Sequence, residues 1–110
     1  MLPAKQRMNS REVEKLCASP HHLHGEYLHI MYTKAGSAKA SVTVSKKIVK
    51  KAVDRNHWRR RLYHALRIHW DSIPPDTHLL LVLKKEGVGV SFKKLELEVG
   101  KLLKRLSARV

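Results

Sequence analysis

The sequence predicts a single α+β domain, in which helices pack against a small mixed or antiparallel sheet as a two-layer sandwich. Three observations predict this class. Segments with helical and with strand periodicity follow one another in the order αβ(β)βαβα. The 110 residues suit one hydrophobic core and leave no room for a second. With 43% hydrophobic residues, the chain has enough apolar surface to build that core.

The first helix is predicted after a short basic segment. Residues 1–8 contain basic groups and no acid, and we expect them to form a loose arm of the domain. Asn9 or Ser10 can cap a helix over residues 11–18. The face of this helix that carries its apolar residues consists of Val13, Leu16 and Cys17.

Alternation of side chains with a period of two predicts the strands. Residues 21–32 alternate in this way, with a bend at Gly25 that can split the strand in two. Residues 40–45 form the next strand, after a turn that contains Gly36. The uninterrupted apolar run 79–83 is typical of a central strand that is covered on both faces.

Two longer helices complete the pattern. The segment Trp58–Trp70 is predicted to be helical from about Ala52 onwards, and Pro74-Pro75 closes it. The face predicted to pack on the sheet carries Trp58, Leu62, Ala65, Leu66 and His69. Ser91 can cap the last helix, whose apolar stripe is Phe92, Leu95, Val99, Leu102, Leu103 and Leu106.

The charge of the chain indicates a polyanionic partner. Lys and Arg number 23 against 9 Asp and Glu, which gives a formal net charge of +14. Such an excess destabilises a compact state by self-repulsion unless a polyanion relieves it, and nucleic acid is favoured over a membrane surface. Cys17 is the single cysteine and excludes an internal disulfide. The start of the chain lacks the apolar stretch of a signal peptide, so we expect a cytoplasmic protein.

The positive charge is concentrated before and within the second predicted helix. Between Lys46 and Arg61, eight of sixteen residues are basic and only Asp54 is acidic. Helical geometry puts Asn56, Arg60, Tyr63 and Arg67 on one side of that helix, bordered by Arg59. Guanidinium groups bridge phosphate oxygens and stack on exposed bases. Because the acidic partners of an ordinary solvated helix are missing, phosphate binding is the favoured interpretation.

The same segment carries a resemblance to a known family. Residues 44–56, Val-Ser-Lys-Lys-Ile-Val-Lys-Lys-Ala-Val-Asp-Arg-Asn, are similar to the V-S-K-K-x-x-K-A-V-x-R-N-R signature of the bacterial ribonuclease P protein subunit. The similarity extends through Arg59-Arg60, where the family has a basic pair, and the predicted order of elements is compatible with the family over the whole chain.

The resemblance implies an accessory role in RNA cleavage. The family subunit joins a catalytic RNA, and the complex removes the 5′ leader of precursor tRNA by endonucleolytic cleavage. The chemistry belongs to the RNA and to Mg²⁺ that the RNA mainly holds, without an organic cofactor, and the protein itself is expected to be monomeric. The family fold also has a left-handed βαβ crossover, against the usual handedness.

The expected contacts fall into two groups. The residues predicted to bind the catalytic RNA are Lys46, Lys47, Lys50, Lys51, Arg55, Asn56, His57, Arg59, Arg60, Tyr63 and Arg67. A cleft between the first helix and the sheet is implied to hold the single-stranded leader, and its expected residues are Val13, Cys17, Tyr27, Tyr32 and Val42.

The chain departs from the family pattern at three places. His57 replaces the second arginine of the signature, so a permanent cation becomes an ionisable one. Ser41 stands where the family usually has glycine. Val13 and Cys17 replace two phenylalanines that face the leader in many members. We therefore expect weaker leader contact, or contact through Tyr27 or Tyr32, since bases stack on aromatic faces.

Two other functions fit the same charge. A ribosomal or other structural RNA-binding protein would need an equally basic surface. A DNA-binding regulator could use Trp58–Trp70 as a recognition helix, but strands flank that segment, whereas helix-turn-helix proteins pair two helices.

Other candidate sites are weaker. Cys17, His21, His22 and His24 have the side chains of a zinc site, but surface histidines of a basic cleft are favoured, and no metal site is predicted. We expect His29 to be packed or to line the cleft. The nine acids are scattered, which predicts no protein active site for phosphodiester cleavage.

Overall fold

A computed structural model describes residues 2–18 and 20–109 of the chain. The α+β class and the predicted order of elements are confirmed. The helices and strands are α1 (Ser10–Ala18), β1 (His21–His24), β2 (Leu28–Lys34), β3 (Lys39–Thr43), α2 (Ala52–Ile68), β4 (Thr77–Leu83) and α3 (Phe92–Arg109). Single 3₁₀ turns lie at Ala4–Gln6, Trp70–Ser72 and Lys85–Gly87.

The strands form one mixed sheet in the order β1-β2-β4-β3. β1 pairs with β2, and β2 with β4, in antiparallel fashion, while β3 and β4 are parallel. The predicted split at Gly25 is confirmed, since β1 and β2 form a hairpin around it. The apolar run 79–83 lies in the central strand β4, as predicted. The parallel strands β3 and β4 are connected by α2 and form the predicted βαβ crossover. The left-handed path of this crossover stays a prediction.

The main core lies between α2, α3 and one face of the sheet. Leu62 and Leu66 of α2 are fully buried, together with Leu79 and Leu81 of β4. The predicted stripe of α3 is confirmed from Leu95 to Leu106, because its five leucine and valine side chains are buried in this core. None of the helices in the described part of the chain is both long and apolar enough to cross a membrane.

The opposite face of the sheet carries α1. Leu16 is fully buried against Leu80 of β4, with Met31 and Val82 at the border of this smaller cluster. Asn9 caps the helix, because its Oδ1 accepts the Glu12 backbone N–H at 2.9 Å. The Glu12 carboxylate accepts the Asn9 N–H in return, also at 2.9 Å, which is a complete capping box.

The predicted loose arm over residues 1–8 is wrong for the part that the structure describes, and Met1 lies outside it. Leu2 is 3% exposed in the main core and Met8 is 8% exposed under α1. Arg7 also forms a parallel β-bridge with Ala40. Two apolar side chains at the ends of a polar segment are enough to hold it against the domain.

Candidate nucleic-acid interface

A tight turn between β3 and α2 presents the lysines of the basic segment. Val44 and Val49 are buried and fix the two ends of the turn. The Ser45 carbonyl accepts the backbone N–H of Val49 at 3.0 Å, and the Ser45 hydroxyl accepts that of Lys47 at 3.1 Å. The four lysine side chains are exposed; these are Lys46, Lys47, Lys50 and Lys51. The turn therefore points a cluster of positive charge into solvent.

Arg55 joins this turn to α2. Its Nη1 donates to the Val49 carbonyl at 3.1 Å and to the Lys50 carbonyl at 2.7 Å, and the side chain is half-buried. Both carbonyls belong to the turn that precedes α2, so the guanidinium of the helix is bonded to the backbone of the turn. The arginine thus holds the lysine turn against the start of α2, and its contact with RNA stays a prediction.

The outer side of α2 carries the predicted row of polar side chains. Asn56, Arg60 and Arg67 are exposed, and Arg59 is partly exposed. Arg59 donates to the Asn56 side-chain oxygen, which fixes both groups on the helix surface. Asn56, Arg59 and Arg60 line a shallow concavity of about 420 Å³, with Tyr63 at its base. This arrangement can receive a phosphate or the edge of a base.

Tyr63 corrects one part of this prediction. The ring is 8% exposed and belongs to the main core, so it is not a member of an exposed row. Its hydroxyl accepts the buried backbone N–H of Val42 at 3.3 Å. The buried sector of α2 is wider than the predicted stripe, because the helix packs against both β3 and α3. Tyr63 still contributes to the lining of the concavity.

Three further basic or ionisable side chains lie on α2 or directly after it. The Arg61 guanidinium carbon lies 5.5 Å from the centroid of the Trp58 ring, a cation–π arrangement that holds this cation near the protein surface. His69 follows the helix and its Nε2 lies 2.6 Å from the Glu96 carboxylate of α3. His57 is exposed and lines a second concavity, of about 370 Å³, with Lys50 and Lys51.

Of the five residues predicted for the leader cleft, two lie beside α1, and their contact with the leader stays a prediction. Val13 and Cys17 lie on α1, Val13 partly buried and Cys17 exposed. Tyr27, Tyr32 and Val42 pack against the main core on the other side of the domain, which contradicts their assignment to a cleft beside α1. Their alternation in the strands was recognised, but periodicity alone does not say which face meets which helix.

The sheet face beside α1 has a different set of side chains. Strand pairing places His24, His29, Val82 and Thr43 in one row across the four strands. The next row consists of His22, Met31, Leu80 and Ser41. α1 covers Leu80, while Thr43 is exposed and Val82 is partly exposed. These rows form the floor of the sheet face beside α1.

Histidines gather at one end of this floor. Cys17 and His21 do not take part: within the described residues, the three side chains that converge are His22, His24 and His29. His21 points to the opposite face and stacks on Tyr32, with 5.4 Å between the ring centroids. Burial lowers the pKa of His29 below its ordinary value, and the neighbouring His24 and His22 lower it further.

Two acidic side chains, Glu12 and Glu98, have structural partners. Glu12 pairs with Lys39 at 2.9 Å, and the Asn9 N–H followed by Lys39 holds the pKa of this carboxyl below its usual range. Glu98 accepts the backbone N–H groups of Glu26 and Tyr27 at 2.8 Å each and so clamps the β1–β2 turn.

In residues 2–18 and 20–109, the convergent metal-ligand group consists of imidazoles. That set does not fit Mg²⁺, which prefers oxygen ligands.

Comparison with known proteins decides between the functions that this basic surface allows. Residues 2–107 match the sequence profile of the family Ribonuclease P. The chain belongs to the ribonuclease P protein family. It is 27% identical over 105 residues to the ribonuclease P protein component of Picosynechococcus sp., a match that covers 93% of this chain and 90% of that protein.

Solved structures show the same fold. The ribonuclease P protein from Thermotoga maritima superposes with a TM-score of 0.78 at 23% identity and covers 90% of this chain and 96% of its own. The Staphylococcus aureus ribonuclease P protein gives a TM-score of 0.78 at 14% identity and covers 92% and 94%.

Membership in the family assigns the role of the chain. It is the protein subunit of ribonuclease P, the RNA-containing enzyme that matures the 5′ ends of tRNA, and it binds RNA. The resemblance of residues 44–56 is therefore confirmed by matches that extend over almost the whole chain. The ribosomal and DNA-binding alternatives are set aside on the same ground.

Proposed function

We propose that the subunit docks on the catalytic RNA of ribonuclease P through the lysine turn and the outer side of α2. The single observation that carries this proposal is the row of exposed Asn56, Arg60 and Arg67 on a helix whose other side is buried. A fixed helix presents its guanidinium groups at fixed spacing, which suits the regular phosphates of a folded RNA. The exposed lysines of residues 46–51 extend the same surface.

Charge supports this surface over the rest of the domain. Asp54 is the one acid among residues 46–61. The α3 surface differs, because Lys93, Lys94 and Lys101 alternate there with Glu96 and Glu98. Phosphate contacts supply most of the affinity of proteins for nucleic acids, so the unbalanced surface is the favoured docking site.

We also propose that the single-stranded leader of precursor tRNA lies on the sheet beside α1. The exposed Thr43 and the partly exposed Val82 provide a shallow floor, and Val13 and Cys17 border it. This cleft has no phenylalanine or tyrosine at the α1 positions, and each missing base stack costs about 1–3 kcal/mol of leader binding. We therefore expect modest affinity for the leader, independent of its sequence.

The hydrolytic chemistry then belongs to the RNA. The converging side chains of the protein do not suit Mg²⁺, so we propose that the ion is held by the catalytic RNA. We further propose that the protein acts as a cytoplasmic monomer within the ribonucleoprotein. Its contribution is to neutralise phosphates and to favour the precursor, which has a leader, over the mature product.

A reconstitution experiment tests the docking surface. Wild-type protein, added to its own ribonuclease P RNA at low Mg²⁺, should increase cleavage of precursor tRNA. The variant Lys46→Ala/Lys47→Ala should need more protein for the same cleavage. Lys93→Ala/Lys94→Ala removes the same charge from α3 and should behave like wild type. Equal losses in both variants would show that only net charge matters and would contradict the proposed surface.

The single cysteine offers a direct test of the leader cleft. Cys17 is exposed on α1, so a photoreactive group can be attached there without other changes. In the reconstituted enzyme, this group should cross-link to leader nucleotides of bound precursor tRNA. The control is Cys17→Ser combined with Lys101→Cys, which moves the group to exposed α3 and should not label the leader. Equal labelling from both positions would contradict the assignment.

A further inference from the structure

Three histidines converge at the end of the sheet face that carries α1. Half of the eight histidines in the chain lie between residues 21 and 29. The rings of His24 and His29 stack with centroids 4.3 Å apart, and those of His22 and His29 at 5.0 Å. His22 Nδ1 and His29 Nε2 are 2.8 Å apart, so one ring nitrogen donates its proton to the other.

The spacing of these nitrogens is close to that of metal ligands. One ring nitrogen of each histidine lies within 4.8 Å of those of the other two. In a tetrahedral site with bonds of about 2.0–2.1 Å, two nitrogens lie about 3.3 Å apart. The pair at 2.8 Å needs to open by only a few tenths of an ångström when a metal ion replaces the shared proton. Rotation of the exposed His24 ring would bring in the third nitrogen.

We propose that His22, His24 and His29 form a binding site for a divalent transition-metal ion of the Zn²⁺, Ni²⁺ or Cu²⁺ class. Neutral imidazole is a preferred ligand of these ions, whereas Mg²⁺ and Ca²⁺ select oxygen. Three protein ligands leave the remaining position to water. The site is therefore separate from the Mg²⁺ chemistry of the RNA and independent of the proposed docking surface.

The backbone holds these ligands in place from two sides. His24 and His29 are direct cross-strand partners, and His22 lies two residues along the same face of β1. On the outer edge of β1, Arg105 donates to the His24 carbonyl at 3.2 Å and Arg109 to the His22 carbonyl at 3.3 Å. Anchored strands reduce the entropy that is lost when the side chains bind an ion.

The surroundings of the site bear on its strength. Lys84 lies close enough to His29 to lower the pKa of the imidazole, and its Nζ donates to the Gly25 carbonyl at 2.9 Å. This lysine disfavours a bound cation, and it also disfavours protonation of His29, the reaction that competes with metal binding. The three nitrogen donors therefore have to outweigh the repulsion from this lysine.

Titration of the full-length, untagged protein with Zn²⁺ tests this inference. In competition with a chromophoric chelator at pH 7.5, the protein should bind one Zn²⁺ ion, and tenfold higher Mg²⁺ should not displace it. His29→Ala and His24→Ala should weaken binding by tenfold or more. The matched control is His21→Ala, one residue from His22 but on the other face of β1, which should bind as wild type does.

The possible results of this titration distinguish a histidine site from its absence. Absence of stoichiometric Zn²⁺ binding, or equal binding by His29→Ala and wild type, would overturn the proposal. Imidazole nitrogen resonances of the wild type provide a second measurement that needs no variant: Zn²⁺ should shift those of residues 22, 24 and 29. Shifts confined to other histidines, such as exposed His57, would also overturn it. Because no RNA is present, the result leaves the assignment to ribonuclease P unaffected.

Discussion

Replacing Arg60 by alanine removes one exposed guanidinium from the centre of the proposed docking surface. The side chain projects from α2 beside Asn56 and Arg59, and its surroundings contain no acidic partner among the described residues. Loss of an exposed side chain of this kind should change the free energy of unfolding by no more than about 0.5 kcal/mol. The variant therefore tests binding without a contribution from folding.

The expected size of the effect comes from counterion release. Each phosphate contact contributes about 0.7–0.9 to the slope of log affinity against log salt concentration. A fourfold increase in salt therefore weakens each contact by about threefold. If Arg60 contacts one phosphate, the variant should bind more weakly at low salt, and its affinity should fall about threefold less between 50 and 200 mM salt.

Binding to the catalytic RNA over this salt range is the assay, and the next residue supplies the control. Arg61 has the same charge, but its guanidinium lies over the Trp58 ring rather than in the row. Arg61→Ala should leave the salt slope unchanged, although it can lower stability through lost packing. A wild-type slope for Arg60→Ala, or equal slopes for both variants, would refute the proposed orientation of α2.

Three predictions concern the scaffold. Leu62→Ala should lower the free energy of unfolding by about 2–5 kcal/mol in chemical denaturation, because its fully buried side chain leaves a cavity; an unchanged value would contradict the helix orientation. Gly87→Ala should cost about 1–3 kcal/mol, since a Cβ there would lie 2.6 Å from the Tyr27 carbonyl oxygen, whereas Gly36→Ala meets open space and should not. The pKa of Glu12 is lower in the folded protein than its ordinary value of 4.5, so its carboxylate stabilises the fold above pH 4.5, and this stabilisation is lost as pH falls below 4.5 through the lowered pKa. Glu12→Gln should therefore flatten the acid side of a profile of stability against pH, and an unaltered profile would contradict stabilisation by the Glu12 carboxylate.

Periodicity predicted the elements well because each has one buried face. The α3 stripe and the apolar run of β4 both lie where the sequence places them, since each pattern admits one orientation towards a core. Residues 2–8 have no such period. Leu2 and Met8 go to clusters on opposite faces of the sheet, so their burial depends on tertiary structure that local sequence does not encode.

The exposure of the candidate docking residues could be predicted from their charge. The residues beside α1 were harder to predict, because they depend on which face of each strand meets that helix. The lysines of residues 46–51 and the arginines of α2 are exposed because a charged side chain is costly to bury. In β2, both alternating sets contain apolar residues, so Tyr32 and Met31 were equally plausible beside α1. The pairing with β4 resolves this, since it places Met31 opposite Leu80 under α1.

The convergence of the histidines shows a similar limit. His22 and His24 are visibly two residues apart, which puts both on one face of a strand. His29 joins them only because the hairpin has a register that pairs it with His24. A turn of a different length would place a tyrosine or a leucine opposite His24. Proximity in the sequence therefore indicated Cys17 and His21 as further candidate metal ligands, but in the fold their side chains lie outside the histidine cluster.

Tyr63 links the core to both proposed RNA-binding surfaces. Its hydroxyl accepts the Val42 N–H and so ties α2 to β3, while its predicted contact with RNA stays untested. β3 also carries Thr43 on the sheet face beside α1, and it leads directly into the lysine turn. The proposed docking surface and the proposed leader cleft lie on opposite sides of the sheet, and β3 connects them. A bond that fixes α2 on β3 therefore sets the distance between the two proposed surfaces, and alignment of a leader with the active site of a partner RNA would depend on that distance.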